Sequence, residues 1–252
     1  MILAVDIGNT NIVVGILQGK DIPFTCRMAT DAARSAAEYE TELRSALEQF
    51  SLTIFDGAII SSVVPAVFPA VYDAVHTVTG QRPLAVSPAM RTGMYLHADD
   101  VTKVGSDRIV IAAGALELYT PPLILLDLGT ATTIEALDSK YNYLGGCIIP
   151  GVQTALDALT ARTAQLPTVS LETPQRIIGR NTVECMQSGI LHGTAAMIDG
   201  MVERMETEMG CRATVVATGG LASLIVPLCR RQITLEKNLL LKGLGTLYRL
   251  NH

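Results

Sequence analysis

The sequence predicts an α/β protein of two domains, each built on a mixed sheet. Three observations lead there. The 252 residues approach the size, roughly 250–300 residues, at which single cores stop growing and chains divide. Strands followed by helices run twice along the chain. The strand–turn–strand unit that opens the chain, with Asp6-Ile7-Gly8 at its turn, returns near the middle as Asp127-Leu128-Gly129.

Each element has its own signal. Ile2–Val5 and Ile12–Leu17 are β-rich runs joined by the turn residues Asp6-Ile7-Gly8-Asn9-Thr10-Asn11. Ser35–Phe50 predicts an amphipathic helix, because Tyr39, Leu43, Leu47 and Phe50 recur at helical spacing and Glu38, Glu42 and Glu48 fall elsewhere. Gly57–Val64 predicts a buried strand stopped at Pro65. Pro69–Thr79 predicts a helix ended by Gly80, Leu84–Val86 a short strand, and Val104–Tyr119 a helix. Pro121-Pro122 is the clearest internal break. It suggests domains of 1–119 and 120–252.

The second half repeats the plan with Leu123–Leu126, the turn 127–132, and Thr133–Leu137. A turn at Gly145-Gly146, a strand Cys147–Ile149 and a helix Gln153–Gln165 follow. Asn181 with Glu184 three residues later has the pattern of a capping box, and opens a long helix to about Met209. Ala213–Ala217 reads as a strand, Thr218-Gly219-Gly220 as a turn into a helix, and Asn238–Leu250 as the closing helix.

Composition narrows the function. Hydrophobic residues make up 49% and charged residues 17%, enough for a large core and against disorder. Aromatics are 4%, Trp is absent, net charge is -5 and no Lys/Arg run occurs. A nucleic-acid partner is therefore not expected. Any polyphosphate would be held by backbone N–H groups and cations more than by basic side chains. The five cysteines are odd in number, far apart and without a C-x-x-C pair. That fits reduced thiols in a cytoplasmic protein. No basic leader and no apolar run of spanning length is visible, so no membrane partner is expected.

The two D-x-G turns carry the chemistry. Glycine lets backbone approach a ligand, and successive N–H groups form a concavity for phosphate oxygens. The leading carboxylate can hold a hydrated Mg²⁺ or a monovalent cation that the phosphates share. Asn9, Thr10, Thr130, Thr132 and Thr133 add polar groups. An ordinary hairpin also yields Asp-x-Gly; two copies after apolar strands, one opening each half, point to phosphate. Gly219-Gly220 at a strand-to-helix turn suits an adenosine, although a plain tight turn reads the same. Gly105-Ser106-Asp107-Arg108 opens a helix. There Asp107 can accept a hydroxyl proton and Arg108 can neutralise charge, or Asp107 can merely favour the helix dipole. No G-x-G-x-x-G, Walker A or G-x-S-x-G pattern occurs. Ser61-Ser62 reads as a strand end.

Two D-x-G turns with a Gly-Gly turn resemble the superfamily of acetate kinase, sugar kinases, heat-shock ATPases and actin. Within it, Asp6-Ile-Gly-Asn-Thr-Asn11, Ser61-Ser-Val-Val-Pro65, Gly105-Ser-Asp-Arg108, Asp127-Leu-Gly-Thr-Ala-Thr132, Gly145-Gly-Cys-Ile-Ile-Pro-Gly151, Gly179-Arg-Asn-Thr182 and Thr218-Gly-Gly220 resemble the type III pantothenate kinases over nearly the whole chain. The resemblance implies a duplicated ribonuclease-H-like, actin-like fold and a homodimer. It implies ATP-dependent phosphorylation of pantothenate to 4'-phosphopantothenate, the first step of coenzyme A biosynthesis. ATP would lie on Asp6, Gly8, Asn9, Thr10, Asn11, Thr130, Gly219 and Gly220. Mg²⁺ would lie at Asp6, and K⁺ or NH₄⁺ at Asp127. Pantothenate would lie on Gly105, Ser106, Asp107, Arg108 and Thr182, with Asp107 as proton acceptor. Two positions depart from the family's usual pattern: Ser106 stands for alanine, and Ala98 for a tyrosine that Tyr95 could replace. Ala98 leaves room for a kinase of another small alcohol. A non-catalytic regulator should have lost Asp6, Asp107 or Asp127; all three are present.

Overall fold

The computed structural model describes residues 1–48 and 54–252. The expected helical position of Phe50 lies outside the described residues. The chain forms two compact units, Met1–Leu118 with Asn238–His252, and Tyr119–Lys237.

The first unit runs β1 (Ile2–Ile7), β2 (Asn11–Gln18), β3 (Asp21–Ala29), α1 (Ala36–Glu48), β4 (Gly57–Ser62), α2 (Phe68–Thr79), β5 (Leu84–Ala85), β6 (Tyr95–Leu96) and α3 (Ser106–Leu118). The second runs β7 (Leu123–Leu128), β8 (Ala131–Leu137), β9 (Asn142–Pro150), α4 (Val152–Ala161), α5 (Thr182–Met209), β10 (Thr214–Thr218), α6 (Ala222–Ile225) and β11 (Thr234–Leu235). Helix α7 (Leu239–Asn251) returns to the first unit.

The units share one topology. In the first, the strand order is β3-β2-β1-β4-β5, with β1 antiparallel to β2 and parallel to β4. In the second, β9-β8-β7-β10-β11 repeats it, with β7 antiparallel to β8 and parallel to β10. The central strands are apolar runs, as expected of strands covered on both faces. On one face of the first sheet, Tyr39, Leu43 and Leu47 of α1 and Val71, Ala74 and Val75 of α2 bury against Leu3, Val5, Ile12 and Val14. Helices α3 and α7 cross with their backbones nearly touching: a Cβ on Gly243 would lie 1.9 Å from the Val110 carbonyl oxygen, and one on Gly114 2.6 Å from that of Leu239.

In the second unit α5 supplies Leu191, Ala195, Ile198 and Val202 to a core with Ile124, Leu126, Ile134 and Val215. Its Met197, Met201 and Met205 pack against the same core. Asn181 caps α5 by accepting Glu184 N–H at 3.0 Å. Glu184 reaches back to Arg180 N–H at 2.9 Å, one residue before the donor of the usual capping box.

Two local readings need correction. Gly145-Gly146 is not a turn but part of β9, where the register shifts at Ala136/Leu137 and Gly145 has φ +97. The reversal is made earlier, because the Asp138 carboxylate accepts the N–H groups of Lys140 and Asn142 and closes the chain there. Gly146 is needed for closeness, since a Cβ would lie 2.0 Å from the Ile134 carbonyl oxygen. The helix after Gly220 is a single turn, Ala222–Ile225, continued as a 3₁₀ turn. No helix among the described residues is long and apolar enough to cross a membrane.

Candidate active site

The matching sheets place the two D-x-G turns at equivalent points. Asp6, buried at 6% exposure, stands opposite Val13 on β2 and Ser61 on β4. Asp127, half-buried, stands opposite Thr133 on β8 and Thr218 on β10. Each carboxylate thus sits at the carboxyl end of a central strand, where open α/β sheets bind ligands.

The turns differ by one residue. Gly8 N–H closes on the Asn11 carbonyl at 3.0 Å, whereas Gly129 N–H closes on the nearer Ala131 carbonyl at 3.1 Å. In both, carbonyl oxygens are engaged from behind by distant residues. Thr30 Oγ1 donates to the Gly8 carbonyl at 2.7 Å, and Thr30 N–H to that of Thr10 at 3.1 Å. The Thr130 carbonyl accepts Gly151 N–H at 3.1 Å and Thr154 Oγ1 at 2.8 Å. Holding carbonyls inward favours the arrangement of outward N–H groups that a phosphate needs. Asn9, Thr10, Asn11 and Thr130 are exposed at the turn surfaces. Thr30, Gly151 and Thr154 have no local sequence signal for this role, since their partners lie 20 or more positions away.

Gly219 joins the second turn directly. It has φ +99, and a Cβ there would meet Asp127 Oδ1 and Leu128 N at 2.5 Å and Leu128 C at 2.6 Å. Leu221 N–H donates to the Leu128 carbonyl at 3.2 Å. The Thr218-Gly219-Gly220 turn and the Asp127-Leu128-Gly129 turn are therefore in backbone contact, on adjacent parallel strands. The Gly219 position has no room for a side chain, so the two turns pack backbone against backbone.

In the first unit, Gly105–Arg108 forms the start of α3. The Asp107 carboxylate accepts Arg108 N–H at 2.8 Å and occupies space above Gly105, whose Cβ would lie 2.4 Å from Oδ1. Asp107 and Arg108 are half-buried. Ser106 Oγ faces the fold: it donates to the Ser62 carbonyl at 2.8 Å and accepts Ser61 Oγ at 3.0 Å. Ser61 is fully buried. Ala98 is half-buried, and nearby Tyr95, 71% exposed, lines an open groove of about 720 Å³ with Arg91, Met94, His97 and Val101.

Thr182 lies exposed at the first turn of α5, in the second unit. No three His, Cys, Asp or Glu side chains among the described residues converge as a metal cage. A divalent ion at a single carboxylate such as Asp6 would complete its shell with phosphate and water, which is how Mg²⁺ is commonly bound. The five cysteines are free. Burial pushes the thiols of Cys26 and Cys147 up, and that of Cys229 to about 12, which disfavours the thiolate.

The type III pantothenate kinase family matches residues 2–204. The type III pantothenate kinase of Moorella thermoacetica is 43% identical over 253 residues, covering 100% of each chain. That of Exiguobacterium sp. (strain AT1b) is 40% identical over 253 residues, covering 100% of this chain and 99% of its own. Among solved structures, the activator of the 2-hydroxyisocaproyl-CoA dehydratase from Clostridium difficile, with bound ADPNP, matches with a TM-score of 0.57. It is 16% identical and covers 98% of this chain and 92% of that one. This likeness shows the fold, the duplicated actin-like architecture already visible in the repeated sheet topology. At 40% and 43% identity over full length, with the family match beneath it, the chain belongs to the type III pantothenate kinases.

Proposed function

We propose that the protein transfers the γ-phosphate of ATP to pantothenate, giving 4'-phosphopantothenate and ADP, and so opens coenzyme A biosynthesis. The observation that carries the reading is the pair of strand–D-x-G–strand turns at equivalent sheet positions in a chain of this family. Phosphoryl transfer leaves little covalent work for a protein; positioning and charge stabilisation do most of it.

The roles follow from the residue types. N–H groups of residues 8–11, with the polar groups of Asn9, Thr10 and Asn11, hold phosphate oxygens. Thr130 takes the phosphates at the second turn. Gly219 and Gly220 let the adenosine lie against backbone. Mg²⁺ at Asp6 would neutralise charge on the phosphates, and K⁺ or NH₄⁺ at Asp127 would add to it. Asp107 accepts the proton of the attacking hydroxyl, and Arg108 holds the anionic acceptor or offsets developing charge. Gly105 and the backbone of Ser106 complete the acceptor loop, and the family resemblance adds Thr182 as a substrate contact.

The working form is a homodimer through α5. Its outward face carries Cys185, Gly189, Gly193 and Ala196, all exposed. Cβ atoms on Gly189, Gly193 and Gly200 would meet nothing within 4 Å. Each interior helical glycine costs about 1 kcal/mol against alanine. A close helix partner across this face would offset that cost. Free cysteines support a reducing, cytoplasmic setting.

One observation favours a second acceptor. Ala98 removes a ring and a hydroxyl from the acceptor side, so another small alcohol could fit. The test is ADP release with pantothenate and with a panel of small alcohols, in Mg²⁺ with K⁺ or NH₄⁺. Preference for pantothenate supports the reading; a clear preference for another alcohol replaces it.

A further inference from the structure

A fully buried hydroxyl must find a partner, because leaving it unmade costs more than the bond itself returns. Ser61 is 0% exposed on β4, and its Oγ meets Ser106 Oγ at 3.0 Å. Ser106 Oγ donates in turn to the Ser62 carbonyl at 2.8 Å, at the carboxyl end of the same strand. Register places Ser61 opposite Asp6 and Ser62 opposite Ile7. A two-bond chain therefore runs from the strand beside the first phosphate turn to the residue before Asp107. Among the described residues, the Asp107 carboxylate is aimed by local means: it accepts Arg108 N–H, and its Oδ1 fills the space above Gly105. Nothing in those two contacts ties the loop to the sheet; the Ser106 hydroxyl does.

We infer that Ser61 and Ser106 are a positioning pair, which fixes the acceptor loop on β4 and so sets Asp107 against the first phosphate turn. The inference rests on the reading of Asp107 as proton acceptor. It assigns the Ser106 side chain to the fold rather than to the acceptor; an alanine at that position, the family's usual residue, cannot make the link. Small displacements of a reacting group cost much in rate, so the effect belongs in kcat. The ATP turns keep their own anchors, so KM for ATP should stay.

The test compares wild type, Ser106→Ala, Ser106→Thr, Ser61→Ala and the Ser61→Ala/Ser106→Ala double variant. Measured are kcat, both KM values and the melting temperature. Ser106→Ala should lower kcat about three- to tenfold, the worth of one net hydrogen bond, with KM for ATP unchanged. Ser106→Thr, which keeps the hydroxyl, should recover most of that loss. The double variant should be no worse than Ser106→Ala, because it removes the stranded Ser61 hydroxyl as well. A folded Ser106→Ala enzyme with wild-type kcat overturns the inference. So does a loss that follows the melting temperature in every variant, or that Ser106→Thr does not relieve. A wild-type enzyme that does not phosphorylate pantothenate overturns the kinase reading itself, and is seen before any variant is made.

Discussion

Replacing Gly219 by alanine tests the junction of the two nucleotide turns. The new Cβ would lie 2.5 Å from Leu128 N, 2.6 Å from Leu128 C and 2.5 Å from Asp127 Oδ1. Leu128 is fully buried in the second core, so its backbone cannot retreat cheaply. The φ of +99 adds a conformational penalty of about 1–3 kcal/mol for a residue with a Cβ. Overpacking of a tight site adds about 1–3 kcal/mol. We therefore expect a loss of about 2–6 kcal/mol in unfolding free energy. KM for ATP should rise, because whatever relief occurs moves the turn against Asp127 and Leu128. Gly129→Ala is the control: its Cβ would stand 3.6 Å from the nearest atom, an ordinary contact. Denaturant unfolding of both variants and ATP kinetics of Gly219→Ala decide the matter. A Gly219→Ala protein as stable as Gly129→Ala, with wild-type KM for ATP, would refute the reasoning.

Four further outcomes are expected. Asp107→Asn should lower kcat by roughly 10²–10⁴-fold, the usual contribution of a general base, with ATP binding nearly intact; wild-type turnover removes Asp107 from the mechanism. Asp127→Ala should abolish activation by K⁺ or NH₄⁺, and full wild-type activity in Na⁺ with Mg²⁺ contradicts the monovalent role. Gly193→Leu should fold, since its side chain meets open space, but should run as a monomer by light scattering at micromolar concentration; a dimeric variant, or an active monomeric wild type, rejects α5 as the contact. Ala98→Tyr should lower KM for pantothenate without changing that for ATP, by up to roughly tenfold if a hydrogen bond worth about 1.4 kcal/mol is restored. A raised KM means that Tyr95 or a neighbour already fills the space.

The parts of the fold legible in the sequence were those with local causes. Helix α1 follows from Tyr39, Leu43 and Leu47 at helical spacing, and α2 ends where Gly80 takes φ +67. Asn181 announced the start of α5. Strand β3 was not legible. Half-buried Ile22, Phe24 and Cys26 and buried Met28 alternate, but Pro23 interrupts the pattern, and proline in a strand is tolerated at an edge. Gly145-Gly146 misled because glycine serves bulges and close approaches as readily as turns. The carboxylates and glycines of the two turns could be read from residue type and repetition. The residues that hold those turns could not. Thr30 reaches back 22 positions to Gly8, and Ser106 reaches 45 positions to Ser61. Such pairings come from strand order, which no local pattern encodes. On a helix as long as α5, apolar spacing alone does not separate core from interface. Met197, Met201 and Met205 went to the core, and the glycine face was left outward.

Incubation with γ-labelled ATP, Mg²⁺, K⁺ and pantothenate tests the transfer of phosphate to pantothenate itself. Label should appear in 4'-phosphopantothenate, in step with ADP, and should be lost in Asp107→Asn. Label appearing only as inorganic phosphate at a rate independent of pantothenate, or on another alcohol in preference, would contradict it.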